Sequence, residues 1–257
     1  MFFSDVAGFT TISESLPPEK LVDLLNQYLS PMTEIIQAHG GYVDKYAGDG
    51  VMAEWGVPYP NPDHARLACF AALAQQARIA ELRPQFRRDF NVDVSVRMGL
   101  NSGPVSAGNM GAQGRFSYTV MGDAVNQAAR FEPANKDYGT LIMLGQTTYD
   151  LARDEIEARL LDRIIVKGKT EPIRIYELVA RKGQAPGLML EVIHLYHRGL
   201  ELHWERKWEE ALACFHKALE LEPRDGPSKT MVARIAHYQH DPPPDSWRGE
   251  YVRKAKD

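Results

Sequence analysis

The stretch Gly40–Gly56, GGYVDKYAGDGVMAEWG, decides how the chain is organised. Gly40-Gly41 stops a helix. Val43–Ala47 and Val51–Trp55 carry the β-branched, aromatic and small apolar residues of two short strands, and Asp49-Gly50 between them is a favoured two-residue hairpin turn. By itself this is an ordinary hairpin. A second aspartate sharpens it: in FFSDVAGFT, Phe2–Thr10, Asp5 lies at the end of another short apolar run, before a glycine-containing loop and a long helix. Two carboxylates at strand ends point to a metal.

Outward from the hairpin, Pro17-Pro18-Glu19 opens a helix in which Leu21, Leu24, Leu25, Tyr28, Leu29, Met32, Ile35 and Ile36 recur at helical spacing. A second helix starts near Asp63 and carries Leu67, Phe70, Ala71 and Leu73 towards Leu82. Val92, Val94, Val96 and Met98 then alternate with polar residues up to Leu100, which reads as a strand with Pro104–Asn109 as its return. Strand, helix, hairpin, helix, strand is a split βαβ plan in an α+β domain, resembling the ferredoxin-like βαββαβ arrangement. In such a sheet the third strand lies between the first and second, so Asp5 and Asp49 become neighbours. Two carboxylates and adjacent carbonyls are hard oxygen ligands suited to Mg²⁺ or Mn²⁺, which commonly also bind substrate phosphates. Asp49 as a simple turn residue and Asp5 as a cap remain the alternative.

Composition narrows the class. Over 257 residues the formal net charge is -4, so no polybasic field draws the chain to nucleic acid or anionic membrane. Cys69 and Cys214 lie far apart in helical patterns and read as reduced core residues. No run of about 18 apolar residues and no signal peptide is present. The expected location is the cytoplasm, whether the chain stands alone or forms the cytosolic part of a longer membrane-attached protein. A strand that begins almost at residue 1 reads as a fragment's edge.

Ser117–Arg130, SYTVMGDAVNQAAR, reads as a strand, a glycine turn and a helix whose first turns place Asn126 and Arg130 on one face. With this segment the sequence resembles the class III nucleotidyl cyclases. FSDVAGFT, KYAGDGVMAEWG, VRMGLNSGPVSAGNMG, YTVMGDAVNQAAR and VKGKTEPIRIYEL are similar to that family's motifs in order, over residues 1–180. The resemblance implies an adenylate cyclase that converts ATP to 3′,5′-cyclic AMP and pyrophosphate. Asp5, Asp49 and the Val6 carbonyl would hold two Mg²⁺ or Mn²⁺ ions. Gly8, Phe9 and Thr10 would cradle the triphosphate, and Arg97 and Lys167 would hold phosphate oxygens. Lys45 and Thr119 would read adenine, where family guanylyl cyclases are expected to carry an acidic residue and a cysteine. Asn126 would orient the ribose and Arg130 would stabilise the transition state. The family also implies a homodimer with two active sites shared across its interface.

Two other phosphate-binding readings fail. Gly168-Lys169-Thr170 mimics the end of a P-loop, but Arg163 stands where its first glycine belongs. GNMGAQG, Gly108–Gly114, lies between strands and reads as a hairpin tip. His39 and His64 read as helix-end caps.

Residues 181–187 read as a Gly- and Pro-containing linker. In 188–240, Leu195, Gly199, Leu202, Ala211, Phe215, Ala218 and Pro223 fall at the offsets of one tetratricopeptide repeat, which this segment resembles. One repeat cannot bury its own apolar face, so it should be capped by a helix near Met231–Tyr238 and docked on the cyclase or on a protein partner. His194, His197, His203 and His216 spread over helix faces and read as packing or solvated residues. Residues 241–257 read as an irregular tail. A catalytically silent nucleotide-binding relative and an interaction module working through the repeat are the rival functions; neither needs the complete set of site residues.

Overall fold

The computed structural model describes residues 1–112, 114–165 and 171–252. In β1 (Phe2–Val6) alternate residues are buried, the period-2 signature of a strand. A short helix α1 (Phe9–Ser15), absent from the sequence reading, precedes α2 (Pro18–Ala38), β2 (Tyr42–Ala47), β3 (Gly50–Glu54), α3 (His64–Phe90) and β4 (Val96–Leu100). Strand β1 pairs antiparallel with β3 on one side and β4 on the other, and β3 pairs with β2. The expected split βαβ core is therefore present. It is extended by β7 (Ile142–Gly145), β8 (Ile156–Ile165), β9 (Ile173–Arg181) and β10 (Tyr251–Val252) into one sheet of order β10-β8-β9-β7-β4-β1-β3-β2.

Both faces of the sheet are covered. Tyr28, Met32 and Ile36 of α2 and Cys69, Ile79 and Phe86 of α3 pack with Phe2, Met98, Leu144 and Tyr176. The neighbouring strand residues Met143 and Ile175 point the other way and meet Phe131, Ala134 and Tyr138 of α4 (Asp123–Tyr138). Gly99 lets α4 lie directly on β4, since a Cβ there would stand 2.4 Å from the Ala128 carbonyl oxygen. Asn135, fully buried, donates through Nδ2 to the Met98 carbonyl at 2.9 Å and fastens the same helix to the same strand. Both cysteines are free thiols.

Several boundaries differ from the expectation. Residues 92–95 are not strand, although Val92 and Val94 are buried: alternation reported burial, not pairing. Helix α3 runs through Pro84 to Phe90, because burial of Phe86 and Phe90 outweighs the lost amide bond. The stretch after Pro104 does not return along β4. Instead β5 (Ser106–Ala112) pairs with β6 (Arg115–Met121) as a separate ribbon, so most of the supposed hairpin tip is strand. The central residues of the β2–β3 turn are Gly48 and Asp49, not Asp49 and Gly50, with Ala47 opposite Gly50 and Gly48 at φ 65°.

Helices α5 (Gln146–Ala152), α6 (Gly187–Trp204), α7 (Trp208–Leu221) and α8 (Gly226–His240) complete the described chain. The last three bury Tyr196, Leu200, Ala211, Phe215, Met231 and Ile235 against one another. They dock on β8 through buried polar contacts. Arg159 bonds Glu177 and, at 2.6 Å, Asp225, which caps α8 by accepting from the Ser228 amide. Arg234 of α8 pairs with Asp162, which also accepts the Tyr138 hydroxyl at 2.7 Å. The tail is not wholly irregular. Trp247 is buried beside His203, Trp208 and Tyr238, and β10 adds a short parallel pair to β8.

His197 accepts the Leu160 amide proton on Nε2 at 2.9 Å, next to a register shift in β8 between Leu160 and Asp162. Burial, then the Arg159 charge, pushes its pKa down to about 4; burial pushes that of His203 down to about 3. Both are neutral in the folded chain, and their contribution is complete above about pH 6.5. It is lost as pH falls from there through the folded pKa values, by about 2 kcal/mol per histidine at pH 5. Thermal melts at pH 7.5 and 5 should therefore show a smaller acid-induced drop for His197→Gln/His203→Phe than for the parent chain.

Candidate active site

The end of β1 and the β2–β3 turn meet as the topology requires. The Val6 amide donates to Asp49 Oδ2 at 2.9 Å, which fixes a buried carboxylate beside Asp5. Burial first, then the hydrogen bond and charge of Asp49 and the charge of Glu132, push the Asp5 carboxyl up to about 7; the Arg97 guanidinium opposes this. Burial and a neighbouring like charge both raise a carboxyl in this way. Among the described residues no cluster of three or more His, Cys, Asp or Glu side chains has the arrangement of a metal site. Two carboxylates with nearby carbonyls fit Mg²⁺ or Mn²⁺, which keep water and phosphate oxygens as their other ligands, better than a metal needing a full protein cage.

Arg97 lies opposite Asp5 on β4 and is neither solvent-facing nor free. Its Nε donates to Glu132 Oε1 of α4 at 2.8 Å, so any phosphate it bound would share the guanidinium with Glu132. Gly8 takes φ 72° and caps α1, and Phe9 and Thr10 open that helix. Lys167 lies outside the described residues.

A second group forms where the β5–β6 ribbon meets β2. Lys45 Nζ donates to Thr119 Oγ1 at 3.3 Å and stands 3.1 Å from Asp44 Oδ1, while the Thr119 hydroxyl donates to Asp44 Oδ2. Asp44 is a residue that the sequence reading missed. Strand alternation places it on the opposite face from Lys45, but the β2 register shifts between Val43 and Lys45, so that neighbours in sequence reach the same threonine. Glu54, buried on β3, is pushed up to about 7 by burial and by the charge of Asp44, with the chain's amino group and Lys45 opposing. Tyr42 and Tyr118 brace the junction edge to face, with centroids 6.2 Å apart.

A third pair stands by itself. Asn126 is exposed and Arg130 half-buried on α4, and among the described residues neither side chain has a hydrogen-bond or ion-pair partner. No such contact joins Asp5 and Asp49, Lys45 and Thr119, or Asn126 and Arg130 to another of these pairs. An open cleft of about 480 Å³ lined by Met1, Trp55, Val57, Pro62 and His64 contains none of them. His39 and His64 bond the backbone carbonyls of Ile35 and Asn61, as helix-end residues do.

Residues 1–180 match the family model for the adenylate and guanylate cyclase catalytic domain, and residues 193–225 match that for a tetratricopeptide repeat. Adenylate cyclase 1 of Rhizobium meliloti is 36% identical over 177 residues, 69% of this chain and 27% of the relative. The terminal-differentiation specific adenylate cyclase of Dictyostelium discoideum is 32% identical over 239 residues, 91% of this chain and 11% of the relative. The chain thus spans about a quarter or less of the length of these two relatives. Among solved structures, the adenylyl cyclase CyaB from P. aeruginosa superposes with a TM-score of 0.65 at 36% identity, covering 72% of this chain and 95% of that one. The guanylyl cyclase Cya2 does so with a TM-score of 0.64 at 31% identity, covering 71% and 92%. With the fold, the ordered motifs and the family model in agreement across residues 1–180, the chain belongs to the adenylate and guanylate cyclase catalytic domain family.

Proposed function

We propose that this chain is an adenylate cyclase that forms 3′,5′-cyclic AMP and pyrophosphate from ATP in two composite sites of a homodimer. The observation that carries this reading is the hydrogen-bonded Lys45–Thr119 pair, separate in the chain from the Asp5–Asp49 pair. Lysine can donate to the acceptor nitrogen of adenine and threonine can accept from its exocyclic amine, whereas guanine offers the opposite sense on both atoms.

Asp5, Asp49 and the Val6 carbonyl would hold two Mg²⁺ or Mn²⁺ ions. Such ions, when bound, make the ribose 3′-hydroxyl more acidic and neutralise charge on the triphosphate. The chain's own groups supply the rest. Gly8, Phe9 and Thr10 receive the triphosphate on backbone amides, while Arg97 balances Asp5 and Glu132 beside it; Lys167, outside the described residues, would hold a phosphate oxygen. Asn126 holds the ribose so that its 3′-oxygen lies in line with the α-phosphorus. Arg130, unpaired among the described residues, is available to the charge that develops there.

The dimer is supported by what β2 presents. It is the outer strand of the sheet, with Tyr42 and Tyr46 42% and 49% exposed, and the neighbouring ribbon exposes Phe116 and Met121 at 62% and 61%. A long apolar edge of this kind is otherwise a pairing hazard. Among the described residues no helix is long and apolar enough to cross a membrane. The repeat, docked on β8, remains open to a protein partner on its outer surface.

Three measurements test this reading. Purified Asp49→Asn should keep its thermal transition, since Asn suits a turn, and lose cyclic AMP formation with Mn²⁺; retained activity would rule out the two-ion site. Lys45→Glu/Thr119→Cys should lower kcat/KM for ATP by roughly 10-fold or more, because an acceptor would then face the adenine ring nitrogen. Asp5→Ala and Arg130→Ala should each be inactive as homodimers. Their co-expression should restore roughly a quarter of wild-type activity, since half the dimers are mixed and half of their sites intact. Demonstrably mixed dimers without activity would place Arg130 in the same subunit's site as Asp5.

A further inference from the structure

Asp44, fully buried in its side chain, accepts the Thr119 hydroxyl and forms an ion pair with Lys45, the two residues that the proposed function assigns to the base. It sits at the β2 irregularity: Val43 is opposite Ala53 and Lys45 opposite Met52, which leaves Asp44 as the extra residue. An insertion of this kind re-aims a side chain that regular pleating would send to the other face. Here it turns Asp44 towards the Thr119 hydroxyl.

A threonine hydroxyl has one proton and two lone pairs, and without a fixed partner it can present either a donor or an acceptor to a ligand. A carboxylate beside an ammonium group accepts only. Because Thr119 gives its proton to Asp44 Oδ2, both remaining positions on Oγ1 are acceptors, and Lys45 Nζ fills one of them at 3.3 Å. The other lies open to a donor. Lys45, with three protons, donates one to Thr119, lies in an ion pair 3.1 Å from Asp44 Oδ1 without hydrogen-bonding it, and has protons left for a ligand. The three side chains therefore present the Lys45 ammonium as donor and the Thr119 oxygen as acceptor side by side, in a fixed order.

We propose that Asp44 is a specificity-determining positioning residue: by accepting the Thr119 proton it locks that hydroxyl as an acceptor and so selects a purine bearing an amine at C6 over one bearing a carbonyl. This inference rests on the reading of Lys45 and Thr119 as the base-recognition pair. It adds a role for a residue that need not touch the nucleotide. Asp44→Asn preserves shape but replaces an obligate acceptor with a group that can also donate. The Thr119 proton is then released to point at the ligand, where it suits a carbonyl.

The test measures binding, so that it does not depend on turnover. Dissociation constants of 3′-deoxy-ATP and 3′-deoxy-ITP, which cannot cyclise, are determined calorimetrically with Mn²⁺ on the full chain. The wild type should favour the adenine analogue, and Asp44→Asn should reduce that preference roughly 10-fold or more, because a mismatched buried polar group is the source of discrimination. In a Thr119→Val background the same substitution should leave the ratio unchanged, since no hydroxyl remains to orient. A loss that weakened both analogues equally would reveal a merely structural role and overturn the assignment. So would a wild type without preference, or an equal change of the ratio in the Thr119→Val background. If Asp44→Asn shows no thermal transition, Asp44→Ser is read by the same ratio. If the wild type makes no cyclic AMP from ATP, the cyclase reading fails, while the binding ratio still decides the role of Asp44.

Discussion

The Val6 amide bond to Asp49 fastens the end of the central strand to the outer hairpin and holds two carboxylates side by side at the sheet's edge. That arrangement opposes folding, because burial and like charge both disfavour ionised carboxyls. It persists because the antiparallel register of β1 with β3 and β4 leaves the strand end no other position. Arg97 and Glu132 fall beside the pair for the same reason, one on β4 and one on the helix that Gly99 admits onto β4.

Helix α4 links this edge to the rest of the molecule. Its first turns carry Asn126 and Arg130, its middle carries Glu132 and its last turn carries Tyr138, which hydrogen-bonds Asp162. Asp162 in turn holds Arg234 of α8, and Thr230 of α8 donates to the Asp137 carbonyl at 2.9 Å. The terminal helices thus grip the C-terminal end of the helix whose first half carries Asn126 and Arg130. Buried ion pairs of this type contribute little net stability compared with apolar packing, but breaking one is costly, typically about 3–5 kcal/mol. They fix the helical module's orientation more than they add to its affinity for the sheet.

The same economy of contacts governs the group formed by Lys45, Asp44 and Thr119. Neither β2 nor the β5–β6 ribbon holds this polar group by itself; Lys45 and Asp44 come from one and Thr119 from the other, and the Tyr42–Tyr118 contact braces the junction. A polar cluster in partly desolvated surroundings has a direction as well as a strength. The placement of a single proton decides which ligand satisfies it.

Local sequence determined most of the elements and supplied the candidate residues. Helical spacing from Leu21 to Ile36, the strand character of the hairpin and the split βαβ order are properties of side chains a few residues apart, and they suffice to bring Asp5 to Asp49. Tertiary structure decided what alternation and propensity cannot encode. Whether Val92 and Val94 join a sheet depends on whether a strand lies beside them. Whether α3 passes Pro84 depends on the pockets that receive Phe86 and Phe90. Asp44 reaches Thr119 only because one inserted residue breaks the pleat of β2, and Arg234 meets Asp162 only because 72 residues of chain fold back on β8. Periodicity describes a residue's neighbours along one element. The partners of a buried charge are set by contacts between elements, and those exist only once the chain has packed.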